Sequence, residues 1–314
     1  MGKRILVTGG VGFIGTHLCN LLVSSQDLIE EVRVLDLRSP VTPIKGVDYF
    51  RGDIRKNSDL EKALDGIDVV MHLAALVSIG VCQENPSESY ETNTIGTVNI
   101  LEILRKKSKK PKLIFSSTSA VYGNPDPESL PLSEHYPTTK LESFYAAQKL
   151  ASENAIQLFH KSFQVPALIF RFFNVYGPGQ DPFSPYSGVI SIFNQRLKKN
   201  QPLRLNGGGT QTRDFISVHD IVSACKKAIE LPDRDCQSQV MNLGFGRGVS
   251  IKELAELMRK VSGCNVPLVD APWRDGDVRD SLAKINLSQE VLRWYPKITL
   301  EEGLKELNSN SSYF

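Results

Sequence analysis

Near its start the chain places hydrophobic residues in short unbroken runs, and the segments between them carry apolar positions at helical spacing. Ile5, Leu6 and Val7 form such a run, as a parallel strand covered on both faces requires. From Phe13 to Val23 the period becomes helical, with Ile14, Leu18, Leu21 and Leu22 on one face. A second strand, Val32–Leu35, leads to Asp36, and further strands are predicted at 47–54, 67–75, 112–116 and 167–170. Helices are predicted at 57–64, 86–107 and 143–161. This alternation predicts an α/β fold, a doubly wound parallel sheet.

Beyond residue 173 the texture changes. Residues 174–215 are rich in Pro, Gly, Ser and Asn around one helix near 187–199, and 245–314 holds helices near 250–262 and 299–307. The pattern divides the chain into a larger domain, 1–173, and a smaller C-terminal domain, 174–216 with 244–314, expected to close over the strand ends where open α/β sheets bind ligands. Residues 217–243, with a helix from His219 to Ile229 and a strand around Val240–Asn242, are expected to return to the first domain.

Composition excludes more than it assigns. With 41% hydrophobic and 23% charged residues, the chain can bury a substantial core. A net charge of +2 is too small to imply nucleic acid or a membrane surface as partner, and the basic run from Arg105 to Lys112 reads as a solvated helix end. Five cysteines without paired spacing and no long apolar run predict a reduced, cytoplasmic setting. The five histidines form no cluster, so no metal is expected.

The chemistry starts at Gly9, Gly12 and Gly15, spaced three apart between the first strand and helix. Such a turn presents bare backbone N–H groups and a helix N-terminus to a pyrophosphate. Asp36, about 20 residues beyond the last glycine, accepts from ribose hydroxyls and repels a 2′-phosphate, favouring NAD over NADP. Tyr145 and Lys149 lie one helical turn apart, and the fifth strand ends in the hydroxyl cluster Ser116–Ser119. A phenol with an ordinary pKa of about 10 is a poor base at neutral pH. Lys149 and a positive nicotinamide ring would favour phenolate, and Thr118 could hold the same substrate oxygen.

Taken together, these motifs resemble the extended short-chain dehydrogenase/reductase family, in particular nucleotide-sugar epimerases and dehydratases related to UDP-galactose 4-epimerase. The segments Arg171–Pro178, Thr212–Phe215 and Arg274–Ser281 extend the resemblance over essentially the whole chain. It implies a Rossmann-type fold in which Gly9, Gly12, Phe13, Ile14 and Gly15 hold the pyrophosphate, Asp36 the ribose, and Asp53 and Ile54 the adenine. Ala74, Asn93, Ser116, Tyr145, Lys149 and Phe173 would meet the nicotinamide end of NAD. Asn174, Val189, Leu205, Arg213, Arg274 and Asp277 would hold a UDP group, with Val77, Thr118 and Ser281 toward the sugar. The resemblance also implies a homodimer through the helices near 86–107 and 143–161.

Family dehydratases follow the catalytic Thr with Asp-Glu, and UDP-glucuronate decarboxylases keep a Glu two residues after it. Ser119 and Ala120 occupy those positions here. The resemblance therefore implies 4-epimerisation through a 4-keto sugar, with NAD retained and Tyr145 moving the 4-hydroxyl proton. Ser281 stands where a Tyr excludes N-acetyl groups in UDP-galactose epimerases, and Asp181–Ser191 resembles a loop of UDP-N-acetylglucosamine 4-epimerases. The implied substrates are UDP-N-acetylglucosamine and UDP-N-acetylgalactosamine, with UDP-glucose and UDP-galactose. Val77, Gln148 and Arg204 depart from the usual residues, the last standing where an aromatic often meets uracil. A nucleotide-sugar 4-ketoreductase, a UDP-glucuronate or deoxysugar epimerase and a non-catalytic dinucleotide-binding relative remain as alternatives.

Overall fold

A computed structural model describes residues 2–180, 188–273 and 278–309. Its first half builds β1 (Lys3–Thr8), α1 (Phe13–Val23), β2 (Ile29–Asp36), β3 (Val47–Arg51), α2 (Asn57–Ala63) and β4 (Val69–His72). Then come α3 (Ile79–Glu84), α4 (Pro86–Tyr90), α5 (Gly96–Leu104), β5 (Lys112–Thr118), α6 (Phe144–Phe163) and β6 (Ala167–Phe172).

The principal sheet has seven parallel strands, in the order β10–β6–β5–β4–β1–β2–β3, where β10 is Gln237–Leu243. This is the doubly wound Rossmann order with one added edge strand. Alternation along β1 explains the continuous apolar run. Ile5 and Val7 enter one core with Leu18 and Leu22 of α1, whereas Leu6 enters a second core with Leu60 of α2 and Leu101 of α5. Both faces are dry along Ile5–Val7, so these three positions are all apolar.

The helix predicted over 86–107 is interrupted. Between α4 and α5 the residues Glu91–Ile95 form a π-turn. The Asn93 carbonyl there accepts from the side chains of Thr97 (2.8 Å) and Ser152 (2.9 Å). Such turns frequently mark functional sites.

A smaller lobe follows. Its elements are β7 (Asn174–Tyr176), α7 (Val189–Lys198), β8 (Leu203–Asn206) and β9 (Thr212–Ser217), then β11 (Gly248–Ser250), α9 (Ile251–Ser262), β12 (Leu268–Ala271) and α11 (Leu300–Ser309). β9 pairs with β7 and β11, and β8 pairs with β12. Phe193, Leu203, Leu254, Met258 and Leu304 form the core of this lobe. Helix α8 (Val218–Glu230) returns to the principal sheet, where Lys112 of β5, wholly buried, donates to the Ala228 and Ile229 carbonyls at its C-terminus. The expected division puts everything after residue 244 in the smaller lobe. The structure instead packs Leu292 of α10 (Asn286–Leu292) and Trp294 into the core of the principal sheet.

Candidate active site

The glycine loop is shaped by contacts that leave no room for side chains. Gly9 has φ +71°, and a Cβ there would come within 2.7 Å of the Ala74 backbone nitrogen. At Gly15 a Cβ would meet the Gly9 carbonyl at 2.5 Å, so only glycine lets α1 pack against the turn. Gly12 is the N-cap of α1 and supplies no side-chain cap, leaving the first N–H groups of Phe13 and Ile14 unclaimed by the helix. This cradle fits a dinucleotide pyrophosphate.

Asp36 ends β2 beside the loop, its Oδ2 accepting from the Val11 N–H at 3.1 Å and its Oδ1 from the Arg38 N–H at 3.0 Å. Asp53 is buried. Burial opposes its ionisation, but Arg55, bonded at 2.7 Å, outweighs this and holds the carboxyl below its usual range. Neighbouring Ile54 packs on Gly96.

A polar chain ties this loop to the π-turn. The Ala74 N–H donates to Thr8 Oγ1 at 3.3 Å, and His72 bridges Thr8 (Nδ1, 2.7 Å) and Thr97 (Nε2, 3.0 Å). Because Thr97 donates to the Asn93 carbonyl, its oxygen accepts from Nε2–H, and Nδ1 accepts from Thr8. Burial, with Lys149 adding to it, pushes His72 down to about 3, so this tautomer stays neutral. Asn93 itself binds Leu76 through both amide atoms and donates to Gln148 Oε1 at 2.7 Å, while Gln148 donates to Ser89. This buried amide network sets α6 against the π-turn. Val77 follows Leu76 and is exposed.

Helix α6 starts at Ser143, whose side chain accepts from the Ala146 N–H. Its first two turns put Tyr145 and Lys149 over the carboxyl end of β5. Tyr145 lies beside Thr118, whose hydroxyl acts to lower the phenol pKa and whose Oγ1 accepts from the Ala120 N–H at 3.2 Å. Lys149 donates to the Ser116 carbonyl at 2.7 Å, and its Nζ lies 4.6 Å from the centre of the Phe115 ring and 6.0 Å from that of Tyr145. Ser116 Oγ donates to the His72 carbonyl.

The proton balance of this trio differs from the simple expectation. Burial pushes Lys149 down to about 7, against the pull of Glu153 one turn further on. Burial and the neighbouring Cys82 raise the Tyr145 phenol above its ordinary value, while the Thr118 hydroxyl acts in the other direction. In the protein alone the phenol is therefore protonated, and the charge that favours phenolate has to arrive with the ligand.

Behind the trio, Glu153 and Arg171 form a buried bidentate pair (Nε–Oε1 3.0 Å, Nη2–Oε2 2.7 Å), and Ser117 donates to the same carboxylate. Arg171 also lies 4.7 Å from the centre of the Tyr122 ring. Phe173 packs against Tyr122, their ring centres 6.3 Å apart.

In the smaller lobe a cavity of about 640 Å³ opens between α7, β8 and β9. Asn174, Val189 and Arg213 line it. Leu205 does not: alternation along β8 sends Leu203 and Leu205 into the lobe core and turns Arg204 and Asn206 to the cavity. Arg213 Nη1 donates to the carbonyls of Thr212 (2.8 Å) and Arg279 (3.2 Å). Asp214, buried beneath it, accepts from the N–H groups of Phe245, Gly246 and Ala283, and burial still raises it to about 6. Ser281 is buried next to this strand, its N–H donating to the Thr212 carbonyl at 3.2 Å. Arg274, Asp277 and the loop segment 181–187 lie outside the described residues.

The model of the NAD dependent epimerase/dehydratase family matches residues 5–244. The chain belongs to that family. Members are NAD-dependent, which agrees with the glycine cradle and Asp36. A putative UDP-glucose 4-epimerase of Methanocaldococcus jannaschii is 34% identical over 310 residues, covering 96% of each chain. Among solved structures, the UDP-glucose 4-epimerase of Thermotoga maritima, with UDP-glucose, superposes with a TM-score of 0.89 at 33% identity, covering 98% of this chain and 97% of the other. The UDP-N-acetylglucosamine 4-epimerase of Methanobrevibacter ruminantium, in complex with UDP-N-acetylmuramic acid, gives the same TM-score at 32% identity and the same coverage. The family assignment makes this chain a nucleotide-sugar epimerase/dehydratase, and among the described residues no helix is long and apolar enough to cross a membrane.

Sequence reasoning did not find the His72 bridge, the Gln148 amide network or the Glu153–Arg171 pair. Glu153 stands one turn after Lys149, a weak signal. Its partner is 18 positions away on another element, which no local pattern reveals.

Proposed function

We propose that this protein is a 4-epimerase of UDP-hexoses and UDP-N-acetylhexosamines. The observation that carries this reading is the grouping of Tyr145 with Thr118 and with Lys149, fixed by the Ser116 carbonyl with its Nζ 6.0 Å from the Tyr145 ring centre, and with Ser119 and Ala120 where elimination or decarboxylation needs carboxylates. Gly9, Gly12, Phe13, Ile14 and Gly15 would hold the pyrophosphate of NAD, Asp36 its ribose, Asp53 and Ile54 its adenine, and Ala74, Asn93, Ser116, Lys149 and Phe173 its nicotinamide end. When bound, NAD supplies the reversible two-electron acceptor that the sugar 4-alcohol needs.

Tyr145 Oη takes the 4-hydroxyl proton and returns it, and Thr118 Oγ1 holds the same oxygen in line with the phenol. Lys149, fixed by the Ser116 carbonyl, sets the local field at that phenol. Arg213, with Arg274, would neutralise the diphosphate, and Asn174, Val189 and Asp277 would enclose the nucleoside. Ser281, small where a Tyr would exclude it, would admit a 2-acetamido group, with Val77 also toward the sugar. Homodimerisation would use the segment from α4 to α5 and α6, where Ile95 of the π-turn and Leu158 and Phe163 of α6 are exposed, and the unpaired cysteines suit a cytoplasmic setting.

The test is incubation of the purified protein, without added cofactor, with UDP-N-acetylglucosamine, resolving epimers by anomeric-proton NMR. Formation of UDP-N-acetylgalactosamine is the expected result. Conversion of UDP-glucose alone would refute the open pocket at Ser281. Turnover of neither sugar, with consumption of added NADPH by a 4-keto sugar, would replace the epimerase with a reductase.

A further inference from the structure

Lys149 stands beside the catalytic phenol, yet the one hydrogen bond described for its Nζ goes to a neutral group, the Ser116 carbonyl. Glu153 follows one turn later on the same face of α6 and docks on the next residue of the same strand, its Oε1 accepting from Ser117 Oγ. The ammonium and the carboxylate are thus seated on consecutive residues of β5, each only 2% exposed. Charges this far from solvent are weakly screened, so each acts on the other although they form no direct ion pair. The bidentate grip of Arg171, at 3.0 and 2.7 Å, fixes where the carboxylate stands.

No other group around Lys149 supplies a negative charge in the resting protein. His72 of β4 is neutral, Cys82 of α3 is a thiol that burial pushes up, and the Tyr145 phenol is protonated. Arg171 of β6 is itself a cation. Burial brings Lys149 down to about 7, and Glu153 is the carboxylate that works against it. A positive nicotinamide ring entering the site would repel the ammonium further. A lysine with no anion behind it would then lose its proton just when the phenol needs a positive charge nearby.

We propose that Glu153 is a positioning residue whose carboxylate, clamped by Arg171 and Ser117, holds the Lys149 ammonium charged beside the Tyr145 phenol. This rests on the epimerase reading above and adds to it the origin of the charge that favours phenolate.

The test reads Lys149 directly. In the NAD-loaded protein labelled with ¹³Cε-lysine, the Lys149 signal, identified by its loss in Lys149→Arg, is followed by NMR against pH. In Glu153→Gln its midpoint is expected to fall by about one pH unit, as for loss of a nearby opposite charge. Glu153→Asp, which keeps the charge, should stay close to wild type, whereas a merely structural role would make Asp as damaging as Gln. The double variant Glu153→Leu, Arg171→Met leaves no unpaired cation in the core, and its midpoint should also fall, which separates the charge from any loss of stability. With UDP-sugar, the ratio of Glu153→Gln to wild-type kcat should drop roughly tenfold between about pH 5.5 and 8.5. An unmoved midpoint in both the Gln and the double variant overturns the proposal whatever the enzyme turns over. A moved midpoint with a kcat ratio independent of pH overturns the role in the reaction. A moved midpoint in a protein whose wild type converts no UDP-sugar upholds the hold of Glu153 on Lys149 and overturns the epimerase reading instead.

Discussion

Replacing Glu153 by Gln removes one charge from the most deeply buried ion pair among the described residues and changes almost no volume. Both partners are at most 5% exposed, and two parallel hydrogen bonds of 3.0 and 2.7 Å join them, so no solvent can take over when the carboxylate goes. Arg171 stays charged, with only the Glu134 carbonyl at 3.2 Å and the face of Tyr122 to answer it. Breaking a pair of this kind costs about 3–5 kcal/mol. With an unfolding entropy near 2.1 cal/mol/K per residue over the whole chain, that corresponds to a drop in unfolding temperature of about 5–8 °C. Differential scanning calorimetry of the NAD-loaded protein at pH 7 reads this directly. The double variant Glu153→Leu, Arg171→Met removes both charges together and should lie within about 2 kcal/mol of wild type, because an apolar replacement of a buried pair is close to neutral. A Gln variant melting within a degree of wild type, or a double variant as damaged as the sum of the singles, would refute the reasoning.

Tyr145→Phe should lower 4-epimerase turnover by about 100- to 10,000-fold while leaving NAD content intact, as loss of an acid–base group does; near wild-type rates would remove Tyr145 from the chemistry. Gly15→Ala drives a Cβ to 2.5 Å from the Gly9 carbonyl, so the purified variant should carry little NAD by absorbance and extraction, and a full complement would contradict the tight turn. Lys149 is depressed to about 7 in the folded chain, whereas an unfolded lysine titrates near 10.4. Between these values the unfolded chain binds a proton that the folded one does not, so this residue makes stability rise with pH from about 7 to about 10. Urea titrations across that range should show the rise in wild type and a flatter profile in Lys149→Met; parallel profiles would mean that the ammonium is not desolvated.

The parts of the fold that could be read from sequence are those whose cause is local. β1 and the glycine loop are legible because burial on both faces forbids polar residues and close packing forbids side chains. The Tyr145 and Lys149 spacing is legible because one helical turn fixes it. Elsewhere the cause lies far along the chain. The π-turn depends on Ser152 and Gln148 of another helix, and α3, only six residues long, has too few positions to show a period. At Leu205 the resemblance names the residue, while the alternation of β8 turns its neighbours' side chains to the cavity, a parity that is settled only once the lobe core is known.

Phe173 is the sole residue between β6 of the principal sheet and β7 of the smaller lobe, and Ser217 hands β9 directly to α8, which packs back on that sheet. The two lobes are thus woven together rather than joined end to end. Genetic exchange acts on contiguous stretches, and no single contiguous stretch here contains one lobe without pieces of the other. A lobe cannot be traded as a cassette in such a chain, so a change of ligand has to come from replacing individual residues while the dinucleotide cradle is inherited whole.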